Sequence, residues 1–87
     1  MSFQILGPQP NPFNPVTTLV VAVPSEGVTR VRIFNLLGQQ VSEPLHQRLP
    51  AGVHPVRVDG ARWASGVYVA VAEHADQSRT RKMLLLK

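Results

Sequence analysis

Turn chemistry cuts this chain into short runs, and that punctuation constrains the fold more than any other feature. Pro24-Ser25-Glu26-Gly27, Leu36-Leu37-Gly38-Gln39, Leu49-Pro50-Ala51-Gly52, Asp59-Gly60 and His74-Ala75-Asp76-Gln77 are turn signals. They recur at intervals of roughly 8 to 12 residues, too close together for helices to become established between them. The runs between them have a period of two. Val31 and Ile33 alternate with Arg30 and Arg32, and Val67, Val69 and Val71 alternate with Tyr68, Ala70 and Ala72.

The runs predict strands over Thr17 to Val23, Val28 to Asn35, Gln40 to Arg48, Val53 to Asp59, Gly66 to Glu73 and Ser78 to Leu86. β-branched and apolar residues fill them, and no helical period competes. Gly38 is expected at positive φ in a tight turn. Pro44 lacks an amide donor, which places its strand at an edge or a bulge. The pattern is that of an all-β chain, an Ig-like antiparallel β-sandwich of about seven short strands. Its core should hold Val31, Ile33, Val56, Val58 and one face of the Gly66 strand, and Val69→Ala is expected to cost about 1–3 kcal/mol where that face is the buried one.

At 87 residues the chain is one domain with one economical core. It has no cysteine, hence neither a disulfide framework nor a thiolate metal site. Met1-Ser2-Phe3 lacks the basic and apolar regions of a signal peptide. If the domain is exported, its leader is expected upstream on a longer parent chain. No apolar run approaches the roughly 20 residues a membrane helix requires, so no membrane insertion is expected.

The net charge of +4 does not read as a nucleic-acid surface. Arg30, Arg32, Arg48, Arg57 and Arg62 are scattered, and the cluster Arg79, Arg81, Lys82 and Lys87 has no interleaved aromatics. Catalysis is also disfavoured. Glu26, Glu43, Asp59, Glu73 and Asp76 fall mostly in or beside turns, with nothing to suggest a convergent pair. His46, His54 and His74 lie on different elements without ligand spacing, and no nucleophile elbow or phosphate loop is present. No catalytic residue, metal or cofactor is therefore expected. Trp63 is expected to cap the core and Tyr68 to pack beneath a neighbour or bond a turn, rather than form a sugar-binding platform.

The two ends carry the most information. Pro8, Pro10, Pro12 and Pro15 hold residues 8 to 15 extended or turning, with Asn11 and Asn14 expected in Asx turns and Phe13 plugging the core edge. Met1 to Gly7 reads as a linker from a preceding domain, and residues 8–87 as the folded unit. At the other end, Met83-Leu84-Leu85-Leu86 places four apolar residues in succession on the last strand, so they cannot all face one way. Flanked by Arg81, Lys82 and Lys87, this strand offers an edge for pairing with a partner, though Met83 and Leu85 completing the core accounts for it equally well. Such an ending suits an address or attachment module.

Six stretches, in order, resemble the C-terminal sorting domain of the type IX (Por) secretion system. They are Pro10-Asn11-Pro12-Phe13-Asn14-Pro15, Ile33 to Val41, Leu49 to His54, Val58-Asp59-Gly60, Ala64 to Tyr68, and Thr80 to Lys87. Gln9, Asn35, Val58 and Trp63 depart from the usual residues of that pattern.

The resemblance implies an Ig-like, non-catalytic signal at the end of a secreted or surface protein, such as a hydrolase or adhesin. It further implies passage through the periplasm, recognition by the outer-membrane translocon, and removal by a sortase-like cysteine protease, leaving the cargo extracellular or on the cell surface. The recognition residues it implies are Gly66, Tyr68, Arg79, Arg81, Lys82, Met83, Leu84, Leu85, Leu86 and Lys87, with Asn11, Pro12, Phe13, Asn14 and Pro15 as a structural motif. The alternative is an Ig-like carbohydrate-binding or spacer module of a secreted hydrolase.

Overall fold

A computed structural model describes residues 1–87. Seven strands form in order: β1 (Gln4–Gln9), β2 (Val16–Val23), β3 (Gly27–Asn35), β4 (Gln40–Leu49), β5 (Gly52–Asp59), β6 (Gly66–His74) and β7 (Gln77–Leu85). They make a three-stranded sheet, β1-β2-β5, and a four-stranded sheet, β4-β3-β6-β7, with antiparallel ladders throughout. This is the Ig-like sandwich that the period-two runs predict, and there is no helix.

Alternation builds the core. Leu19, Val21 and Val23 of β2 are fully buried, as are Val31 and Ile33 of β3, and Val56 and Val58 of β5 are nearly so. Each such side chain contributes about 1.5–3 kcal/mol relative to exposure. Arg30 and Arg32 lie on the opposite face of β3, paired with Glu43 and Glu73.

Pro44 sits where its chemistry allows. Its strand β4 is an edge strand, and the register passes from Val31↔Leu45 to Ile33↔Ser42, leaving one extra residue on the β4 side. Pro44 occupies that bulge, where a missing donor interrupts no ladder. The β3–β4 hairpin closes through Gly38 at φ 80°. There Asn35 Oδ1 accepts from the amides of Leu37 and Gln39 at 2.9 and 3.0 Å.

Two expectations are corrected. Met1 to Gly7 is not merely a linker: Gln4 to Gln9 forms β1, and Phe3 and Ile5 are 0% and 2% exposed within the core. The prolines that follow masked this strand in the sequence, although Phe3 and Ile5 carry the alternation of a half-buried edge. The second correction concerns β6. Its buried face is Tyr68, Ala70, Ala72 and His74, whereas Val67, Val69 and Val71 are half-buried on the outer face. β6 lies between β3 and β7, and its inner face shares one packed cluster with Phe3, Leu19 and Ile33, which leaves room only for small side chains at Ala70 and Ala72.

Candidate recognition strand

β7 occupies one edge of the four-stranded sheet and pairs with β6 without a register break, from His74↔Gln77 to Gly66↔Leu85. Met83 and Leu85 point inward and are fully buried, whereas Leu84 is half-buried and Leu86 is 51% exposed. The four successive apolar residues are thus divided by ordinary strand alternation. Tyr68, opposite Met83, is buried and donates its hydroxyl to the Ala64 carbonyl at 2.6 Å. Trp63 packs on its ring with centroids 4.9 Å apart, so the aromatic pair caps the core instead of presenting a flat exposed face.

The edge expected to be unpaired is in fact gripped over its last residues by the proline-rich head. Phe13 forms a parallel bridge with Leu85. Its amide donates to the Leu84 carbonyl at 2.9 Å, and its carbonyl accepts from the Leu86 amide at 3.1 Å. Asn11 does not close a local Asx turn; its Oδ1 accepts from the Leu84 amide at 3.0 Å. The acceptor for Leu84 is thus a side-chain oxygen and not a backbone carbonyl of the head: Pro10 and Pro12 fix φ on either side of Asn11, and the Pro10 carbonyl is taken by the Thr17 hydroxyl at 2.7 Å. The Phe13 ring is 1% exposed in the core, while Pro12 and Asn14 stand exposed and Pro15 half-buried.

Asp59-Gly60 completes the clasp. The Gly60 amide donates to the Pro15 carbonyl at 2.8 Å. A Cβ at Gly60 would stand 3.0 Å from the Trp63 ring, 3.1 Å from Leu85 and 3.3 Å from the Phe13 ring. Only glycine lets these three side chains close over the loop. The sequence showed Gly60 as a turn residue; its packing role has no signal in local pattern.

The remaining edge is different. Because the Leu84 amide and carbonyl point away from β6, strand geometry also turns the backbone groups of Ser78, Thr80 and Lys82 outward. Arg81 Nε donates to the Ile5 carbonyl across the side of the sandwich at 2.8 Å, and the Arg79 guanidinium lies 6.0 Å from the Phe3 ring centre. Arg79 and Arg81 lie on the β7 face that carries Met83, whereas Lys82 shares the outer face with Leu84. The basic residues therefore do not form one cluster. Lys87 folds back, its Nζ donating to the Ala61 carbonyl at 2.6 Å and its amide to Ser65 Oγ at 3.0 Å. Gly66, half-buried opposite Leu85, starts the strand that carries β7.

Charge follows the same division. Arg30, Arg32, Arg48 and Arg57 are paired with Glu43, Glu73, Glu26 and Asp59. Arg62, Arg79, Arg81, Lys82 and Lys87 have no carboxylate partner, so the excess positive charge belongs to β7 and the loop beside its end. A hydrogen bond from Arg30 holds the Glu43 carboxyl below the usual carboxylate range. A groove of about 370 Å³ lies at the far end of this sheet, lined in part by Glu26, Arg30, His46, Glu73 and His74. Three of those charges are tied up in ion pairs, and His74 Nδ1 lies 3.0 Å from Thr29 Oγ1.

Among known proteins, a family model described as the secretion system C-terminal sorting domain matches residues 9–86. No curated protein matches the chain.

Proposed function

The chain belongs to the type IX secretion system C-terminal sorting domain family, and from that membership we propose that it delivers a covalently attached upstream protein through the outer-membrane translocon. The cargo enters the periplasm by its own leader, and the folded sandwich is the feature the translocon reads. A sortase-like cysteine protease then removes the domain, leaving the cargo on the cell surface or free outside. The cargo class is a secreted hydrolase or adhesin. Gly66, Tyr68 and the stretch Arg79 to Lys87 form the recognition region, in which Tyr68, Met83 and Leu85 act by holding β7 in place. The exposed residues Arg79, Arg81, Lys82 and Leu86 face the machinery.

The observation that carries this reading is the family match, which spans both the proline-rich head and the final strand. The clasp between these segments supports it, because it keeps the tail folded and presented in one position. The test is a reporter fused ahead of residues 1–87 behind a signal peptide, in hosts with and without the type IX translocon. Delivery to the surface only in the first host is expected. Equal delivery in both, or retention in both, would refute the sorting role.

A further inference from the structure

The free half of β7 has a geometry that specifies its partner further than sorting alone requires. Ser78, Thr80 and Lys82 direct backbone donors and acceptors outward, where no strand meets them; of these only the Ser78 carbonyl is engaged, by Arg79 Nη1 at 2.9 Å. A few residues along, the same edge already accepts an extended segment, since Asn11 and Phe13 pair with Leu84 and Leu86. The edge is therefore competent for pairing and unoccupied over part of its length.

Arg79 and Arg81 stand two residues apart on one face of this free stretch. Their aromatic and carbonyl contacts position them without neutralising them. Both line a cleft of about 330 Å³ with Gln4, Ile5 and Thr80, open at the side of the sandwich. Charged edge residues commonly guard against self-association, and cations here repel a second copy of the same strand. The same guard admits a strand of opposite sign.

We propose that the edge at Ser78–Lys82 takes an extended acidic polypeptide by strand addition, with carboxylates at alternate residues seated on Arg79 and Arg81. Backbone pairing to Thr80 supplies affinity, and the guanidinium pair supplies selection and orientation. The period of two follows from the pleat, because only every second residue of an added strand faces the arginines. This deepens the sorting reading and rests on it: the acidic segment belongs to a protein of the secretion machinery.

The test uses the 87-residue chain and a short labelled peptide alternating glutamate with threonine. A lysine–threonine peptide and phosphatidylglycerol vesicles serve as comparisons. Binding is read by fluorescence anisotropy, and its position by amide chemical shifts. The acidic peptide should bind, shift the Thr80 and Lys82 amides, and weaken as salt rises from about 0.05 to 0.5 M. Replacing both arginines, Arg79→Gln with Arg81→Gln, should weaken it at least about tenfold.

Because Arg81 also holds Ile5, Thr80→Pro provides a second test. The Thr80 amide points away from β6, so proline there keeps the internal ladder and removes only the outward donor. It should abolish the shifts at unchanged melting temperature. Equal binding by wild type and Thr80→Pro, or binding to vesicles but not to the acidic peptide, would overturn strand addition. In the reporter assay, normal delivery by Thr80→Pro would overturn the inference while leaving sorting intact. Failure of the wild-type chain to deliver would instead remove the sorting reading.

Discussion

Gln77 to Lys82 and Met83 to Leu85 belong to one strand and share one unbroken ladder with β6, yet only the second stretch is gripped on its other side. In that stretch Met83 and Leu85 are sealed in the core, and Asn11 and Phe13 satisfy the outer backbone groups. The first stretch is exposed along its whole length, carries cations without carboxylate partners, and, apart from the Ser78 carbonyl held by Arg79, has no partner for its outward groups. The difference teaches that edge protection is local. A strand is covered residue by residue, by whatever segment the topology brings alongside, and the part left uncovered is the part available to a partner.

Removing the grip should have the largest effect. Phe13→Ala is expected to cost about 3–5 kcal/mol, as for other buried aromatic truncations. That is a large share of the stability of a small domain, on the order of 5–15 kcal/mol. Denaturant unfolding measures it. A loss below about 1 kcal/mol would mean that the ring is not a core element.

Crowding the clasp comes next. Gly60→Ala should destabilise by about 1–3 kcal/mol, because the added methyl forces Trp63, Leu85 and Phe13 apart. Amide exchange should then rise at Leu84 and Leu86 more than at Arg30 or Val31, which lie on β3. Uniform loss of protection would show instead that the two halves of β7 open together with the whole domain.

Asn11→Ala is milder and more local. It removes one acceptor from the Leu84 amide, at a cost of about 0.5–1.5 kcal/mol. Exchange at Leu84 should accelerate while exchange at Thr80, already unpaired, stays the same. Unchanged exchange at Leu84 would break the distinction between the halves.

The smallest effect compares this edge with the opposite one. On β4, Glu43 is bonded to Arg30 and lies 3.5 Å from His46, while β7 has no carboxylate partner for its cations. The Glu43 carboxyl is lowered in the folded state, chiefly by the Arg30 hydrogen bond. It therefore contributes stability above its unfolded pKa of about 4.3, and that contribution is lost as pH falls through the lower folded value. Glu43→Gln should slightly lower the melting temperature at neutral pH and converge with wild type in strong acid. Parallel curves at every pH would show that the pair adds nothing.

Much of the fold was legible. Six strands follow from the runs between turn signals, with ends within one or two residues of those found. Pro44 announced its bulge, and Gly38 its positive φ. The recognition region was less legible. Arg81 and Lys82 are adjacent in sequence and read as one basic cluster, but neighbouring residues of a strand point to opposite faces, and Arg81 is bonded to Ile5. Asn11 suggested a local turn, because sequence offers no means of finding an acceptor's partner 73 residues away. The first strand is not legible in the sequence, because prolines on either side of Gln9 resemble a spacer and its pairing with β2 is a long-range property.

By itself the sequence determined the class, the strand count to within one, the turns and the family resemblance, since each rests on local dihedral preference or on a period of two. Tertiary structure decided which face of β6 is buried, that the head clasps the tail, and which half of β7 stays open. A period of two has two solutions related by turning the strand over, and hydrophobicity alone favours the valine face. The space between two sheets favours the alanine face, and that space exists only once both sheets are in place.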